Sequence, residues 1–455
     1  MTLPTSLHAV LHRVRLCVRA VLSLLGAVVG GPAPPSSGGL SLSALSGLLG
    51  RTRTVDFDDG TSVVVGRRIA EGGFSYVYEA SPAGESGGRR GPSSAVPAGA
   101  DGDGAPDGGG TTRRYALKRI SCGDREVVEA CRHEAGVHGS LPPDHPNLLG
   151  LLGIKFERPS GPSAGGPDLC YLLFPLVPDS LRGELTRRNV LLERPGDARR
   201  CLAVGEVLGL LGGLVDGLSA IHGRGLSHRD FKIENILLRR KGGRAGRGYT
   251  PVIMDFGSAG PASEAIATRS DVRRAVEAAS SRTTLAYRPP ELFDGGARHG
   301  PDEALSYDRV DVWGLGCVLF GLMHGCSPYE MDFVRDPPRG RGDADGLVRV
   351  VECTHLKVLG GVPDPPTRPG DGGRTTAAAA SGGGRYPGEM YGLVRYMADH
   401  DRARRPDVRR VAARFAEVHL MLTGERWVPH GDGGDAGRGG GDDAFDSLIA
   451  SRDFV

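Results

Sequence analysis

Six residues, spaced at domain scale along the chain, carry side chains suited to moving a phosphoryl group. Lys118 lies in Tyr115-Ala116-Leu117-Lys118-Arg119-Ile120, and Glu134 follows in His133-Glu134-Ala135-Gly136-Val137-His138. Asp230, Lys232 and Asn235 share the run His228-Arg229-Asp230-Phe231-Lys232-Ile233-Glu234-Asn235, and Asp255 sits in Met254-Asp255-Phe256-Gly257-Ser258. An ammonium such as Lys118 offers positive charge to phosphate oxygens, and a carboxylate such as Glu134 holds it in place by an ion pair. Asp255 supplies a hard carboxylate for a magnesium ion and Asn235 a carbonyl oxygen for a second ion, the donors this cation takes. Asp230 is suited to accept the hydrogen bond of a hydroxyl and aim it in line. Lys232, two residues on, is suited to neutralise charge that develops on the transferred group. None of the six need act as a covalent nucleophile. Alone, Lys118 reads equally as a solvated strand lysine and Glu134 as a helix surface; their joint order carries the functional reading.

The elements that must position these groups follow from local patterning. The runs Thr61–Ala70 and Ser75–Ser81 are rich in β-branched and aromatic residues and flank the pair Gly72-Gly73, which reads as a hairpin. Tyr115–Ile120 resumes as a strand, residues from about 124 to 140 have helical spacing, and Leu169–Pro175 reads as a buried strand. Helices are expected at about 204–222, 308–324, 389–399 and 407–422. A small strand-rich lobe followed by a larger helical lobe, an α+β architecture, is the expectation. Residues 55–422 form that domain, interrupted by Gly/Pro/Ala-rich insertions at about 82–110 and 364–384 that lack apolar residues able to bury surface. Residues 423–455 form a glycine-rich tail.

Composition narrows the class. The 455 residues include 72 glycines and 32 prolines, so much of the length is spacer. A net charge of +2 gives no reason to expect nucleic acid. The eight cysteines form no Cys-x-x-Cys pair, which fits reduced thiols better than a disulfide framework or a zinc site. Residues 1–54 contain arginines but no acidic residue, with an apolar patch from Ala20 to Val29. Three readings stay open for them: an organellar transit or signal-type segment, an amphipathic helix on a membrane surface, and an unstructured extension. The apolar patch is short of the ~20 residues that span a bilayer. A cytoplasmic protein is the working expectation, with membrane or Golgi association through this segment and an organellar transit peptide left open beside it.

The order Lys118, Glu134, His228–Asn235, Asp255, then Tyr287-Arg288-Pro289-Pro290-Glu291, matches the protein-kinase signature set. On that match, Val77, Ala116 and Leu237 sandwich adenine, Val177 offers the backbone contact that Pro175 cannot, and Gly72 and Gly73 cover the phosphates of ATP. Glu291 and Arg405 are expected as a buried ion pair, Asp311 as a brace for the catalytic loop, and Arg229 as a partner for an anion in the activation segment. The glycine loop departs from G-x-G-x-x-G: Ala70 and Ser75 replace its first and third glycines. Ala70 is expected to keep φ negative, because a left-handed non-glycine costs about 1–2 kcal/mol.

Glu71-Gly72-Gly73-Phe74-Ser75-Tyr76-Val77, His228–Leu238, Val252–Gly260, Thr284–Asp294 and Asp308–Phe333 together resemble the Numb-associated kinase family, most closely the branch of the myristoylated and palmitoylated serine/threonine kinase. The resemblance implies transfer of the γ-phosphate of Mg-ATP to Ser and Thr hydroxyls of proteins, in membrane traffic or at the Golgi. It also implies an extra helix in the activation segment, for which Ser270–Thr284 is the candidate with Ser270 as N-cap, and it makes Thr284 a marker of Ser/Thr specificity. That branch has glycine after Met1, whereas this chain reads Met1-Thr2-Leu3-Pro4, so no N-myristoyl group is expected for this start. Ile233 and Glu234 stand where proline and a small polar residue are usual, and Glu234 is expected to crowd Lys232 and weaken its phosphate contact. A catalytically weak scaffold is the alternative, and a kinase of lipids or small molecules a third reading. A scaffold has usually lost one of the six groups; none is missing here.

Overall fold

A computed structural model describes residues 53–71, 75–84, 113–158, 168–188, 190, 200–241, 248–293, 304–333, 348–364 and 386–430. The expectations for residues 1–52, for the bulk of both insertions and for most of the tail therefore lie outside the described residues, as do Gly72, Gly73 and Phe74.

The first lobe is a six-stranded sheet in the order β1-β2-β3-β4-β6-β5, antiparallel throughout. Its strands are β1 (Thr54–Asp56), β2 (Ser62–Glu71), β3 (Ser75–Pro82), β4 (Tyr115–Cys122), β5 (Gly153–Glu157) and β6 (Asp168–Pro175). Successive strand side chains point to opposite faces, and here both faces are covered. Along β6, Cys170, Leu172 and Phe174 join one apolar cluster while Tyr171 and Leu173 join the other. That double burial is why the strand reads as an unbroken apolar run. The helix α1 (Arg125–Ser140) packs on the first of these faces through Cys131 and Ala135. Its N-cap, Asp124, accepts from Val127 N at 2.9 Å.

The second lobe is helical: α2 (Leu181–Arg187), α3 (Val204–His222), α4 (Arg269–Arg282), α5 (Tyr307–His324), α6 (His355–Leu359), α7 (Gly388–Met397) and α8 (Val408–Thr423). In α3, length and apolarity alone would suit a membrane span, but its leucines and, beyond the half-buried Val204, its valines are buried in the lobe's main core. The helix α5 is buried along nearly its whole length and ends at Gly325, whose φ of 96° is the left-handed region that glycine enters freely. Short strands carry the loops of interest: β7 (Asp179–Ser180), β8 (Leu226–Ser227), β9 (Ile236–Arg240) and β10 (Tyr249–Ile253), with β9 paired to both β7 and β10.

Candidate active site

Lys118 stands on β4 with Ala116 and Ile120 on the same face, and Val77 of β3 is its cross-strand partner. Glu134 projects from α1 and is buried. The Lys118 ammonium donates to both its carboxylate oxygens, at 2.8 and 2.9 Å. Burial alone would depress the Lys118 pKa, but the carboxylates of Glu134 and Asp255 outweigh it and hold the amine above its ordinary value. Asp255 follows β10 with φ of 67°, a left-handed conformation that is uncommon outside glycine. The residue keeps exposed surface though protein surrounds its carboxylate. Burial raises its pKa, Lys118, Lys232 and His228 pull it down, and the balance leaves it ionised below the usual range. A side chain grown on Gly257 would stand 3.5 Å from Asp255 Oδ1 and 3.8 Å from Glu134 Oε2, which places both carboxylates around one small space.

The loop from β8 to β9 carries Asp230, Lys232 and Asn235. Asp311, on α5 and 1 % exposed, braces it as expected. Its Oδ2 accepts from His228 N and Ser227 Oγ at 2.7 Å, and its Oδ1 from Arg229 N at 2.7 Å. Those bonds hold Arg229 at φ of 67°. His222 Nε2 lies 3.0 Å from the same carboxylate. With the backbone so fixed, Lys232 Nζ donates to Asp230 Oδ2 and, at 2.8 Å, to Thr284 Oγ1. Thr284 N and Oγ1 donate to Asp230 Oδ1 at 3.1 and 3.0 Å. Asn235 Nδ2 donates to Asp230 O at 2.9 Å, which leaves its amide oxygen for another partner. Met254 N donates to Asn235 O, and His228 Nε2 lies 3.0 Å from Met254 O, so this loop and the Asp255 segment are stitched together.

Between the lobes, Ala116, Leu237 and Met254 pack with Phe174 and Val177 in one apolar cluster, as a flat aromatic ligand requires. Pro175 has no N–H, and Leu176 N donates to Arg114 O at 3.1 Å. Among the described residues nothing accepts from Val177 N, so it is the donor left in that segment.

Three expectations need correction. Glu234 does not crowd Lys232: Arg182 of α2 holds Glu234 Oε1 at 2.7 Å. The residues Ile233–Asn235 form a 3-10 turn, and about three residues per turn swing Glu234 away from its neighbour. Arg229 makes no ion pair among the described residues, although Glu264 of the activation segment attracts its charge; it donates to Pro261 O at 2.8 Å and lies 3.7 Å above the Tyr307 ring. The extra helix exists as α4, but Thr268 caps it, in a reciprocal box with Asp271, two residues before Ser270. The expected buried pair is present: Arg405 Nη1 and Nη2 reach Glu291 at 2.6 and 3.0 Å.

A family model for the protein kinase domain matches residues 109–411, more than half of the chain. The chain belongs to the protein kinase family. Strands β1 to β3 precede the matched span and complete the kinase sheet. Serine/threonine-protein kinase 16 of Rattus norvegicus is 33 % identical over 267 residues, 59 % of this chain and 71 % of that protein. Its Homo sapiens counterpart matches at the same identity and coverage. The two lobes, the order of motifs and these relatives make this kinase an ATP-dependent serine/threonine protein kinase. Sequence reading had missed Ser227, His222 and Arg182. Nothing in their local motifs marks them, because each gains its role only from a partner 52 to 89 positions away.

Proposed function

We propose the following division of labour in the transfer of phosphate to Ser and Thr hydroxyls of protein substrates. When bound, Mg-ATP supplies the γ-phosphoryl group and the charge that the site's cations offset. Lys118, fixed by Glu134, binds α- and β-phosphate oxygens. Asp255 and the Asn235 amide oxygen are the ligands for magnesium, a cation bound through few protein oxygens when phosphates complete its shell. Val77, Ala116 and Leu237 enclose adenine and Val177 N donates to it, while Gly72 and Gly73 cover the phosphates. Asp230 orients the acceptor hydroxyl and takes its hydrogen bond, and Lys232 balances charge beside it. The observation that carries this reading is the joint geometry of the two-pronged Lys118–Glu134 contact and the Asp230–Lys232–Thr284 cluster.

Purified protein with Mg-ATP is expected to phosphorylate itself or a generic basic protein. Lys118→Met and Asp230→Asn should each lower incorporation by orders of magnitude, and equal incorporation in wild type and Asp230→Asn refutes the assignment. We also infer a place in the Numb-associated family, in the branch named above, with work at a membrane surface. The motif set and the helix α4 inside the activation segment support it. A fluorescent reporter fused to residues 1–54 tests the location: a diffuse cytosolic signal would count against it.

A further inference from the structure

Between Thr284 and Arg288 the chain makes a 3-10 turn, Leu285–Tyr287, next to Asp230. One end of it is fastened to the catalytic loop, because Thr284 N and Oγ1 both donate to Asp230 Oδ1. The other end is fastened to the close of α4, where the Arg288 guanidinium donates to Ala279 O and Thr283 O at 3.0 Å. Leu285 is 40 % exposed, while Ala286 and Tyr287 turn into the core of the helical lobe.

The middle of the turn is held from a different part of the fold. Ser327 Oγ donates to Ala286 O at 2.6 Å, across 41 positions of sequence. Ser327 has no exposed surface and Ala286 is 2 % exposed, so water cannot readily replace this donor. The hydroxyl is aimed by its own backbone. Ser327 precedes Pro328, which confines it to extended geometry, and its ψ of 148° lies within that range. There it caps the 3-10 turn Pro328–Glu330, and Oγ accepts from Tyr329 N at 3.4 Å while it donates to Ala286 O. A hydroxyl is the smallest side-chain group that donates and accepts at once. Ser327 stands shortly after α5, the helix whose Asp311 braces the loop that carries Asp230. Asp230 and the turn beside it thus take their positions from one buried helix.

We propose that Ser327 is a positioning residue for the protein substrate. Through Ala286 it fixes the turn that flanks Asp230, and with it the surface against which the chain bearing the acceptor hydroxyl lies. This role rests on Asp230 as the carboxylate that orients that hydroxyl. It is tested with the full chain by measuring KM for ATP and KM for a generic basic protein, in wild type and in Ser327→Ala. A Michaelis constant does not depend on how much of a sample is folded, so a loss of stability alone moves neither. KM for the protein substrate should rise about fivefold or more, the scale of a lost hydrogen bond that leaves a buried carbonyl bare, while KM for ATP stays within about twofold. Should Ser327→Ala not fold, Ser327→Cys, close to serine in shape and only a weak donor, is read by the same split. A protein-substrate KM that stays at the wild-type value overturns the positioning role and leaves the kinase reading standing. So does an equal rise in both constants. A wild-type chain that phosphorylates neither itself nor the basic protein refutes the catalytic assignment, and the positioning role with it.

Discussion

Protonating His138 should loosen the kinase. The residue lies on α1, one turn beyond Glu134, and is 8 % exposed. Its ring packs between Phe174 at 5.4 Å and Phe256 at 4.9 Å, and its Nε2 is buried without a partner. Burial, then the nearby Lys118 charge, lower its pKa from 6.5 to about 4, against a smaller opposite pull from Asp255. The folded protein thus demands the neutral ring. The stability this contributes is complete above the unfolded value and is lost as pH falls from 6.5 toward about 4. At about 1.4 kcal/mol per pKa unit, the loss approaches about 3 kcal/mol in acid and about 2 kcal/mol near pH 5. Urea denaturation of wild type and His138→Leu, near pH 7.5 and near pH 5, measures it. Other titrating groups are common to both proteins, so the wild-type-minus-variant difference should shift by about 2 kcal/mol between the two conditions. A difference that stays the same refutes the buried neutral ring.

Other perturbations follow from single contacts. Asp311→Asn keeps an oxygen for Ser227 and His228 but turns an amide N–H toward Arg229 N; it should cost about 3 kcal/mol by denaturation. In the same variant kcat should fall about tenfold or more while KM for ATP moves little, because Asp311 positions the loop and does not reach Lys118. Arg405→Ala removes the buried guanidinium that meets both oxygens of Glu291 and should lower stability by about 3–5 kcal/mol, visible as a reduced Tm. Gly212→Ala sets a Cβ 2.7 Å from Trp427 Nε1 and 3.3 Å from Phe415. It should cost about 1–3 kcal/mol and alter the tryptophan fluorescence, since the indole must leave its seat on α3.

Much of this kinase is written locally. The six reactive residues, the strand alternation of β4 and the boundaries of α3, α5, α7 and α8 are properties of short windows, set by side-chain type and by the 2.0 and 3.6 periods. Even the Glu291–Arg405 pair was legible, since each belongs to a recognisable motif. Nearness in sequence did not set nearness in space. Glu234 is two residues from Lys232, yet a 3-10 turn and Arg182 carry it elsewhere. Ser270 looked like a cap, but Thr268 has the better geometry once Asp271 folds back on it. What only the tertiary structure decided is which groups share a buried space. Asp311 meets four partners from the segments around β8, and His138 becomes a neutral ring between two phenylalanines. The reason is desolvation: charge, hydrogen-bonding need and pKa depend on what excludes water around a side chain, and that is assembled from segments far apart in the chain.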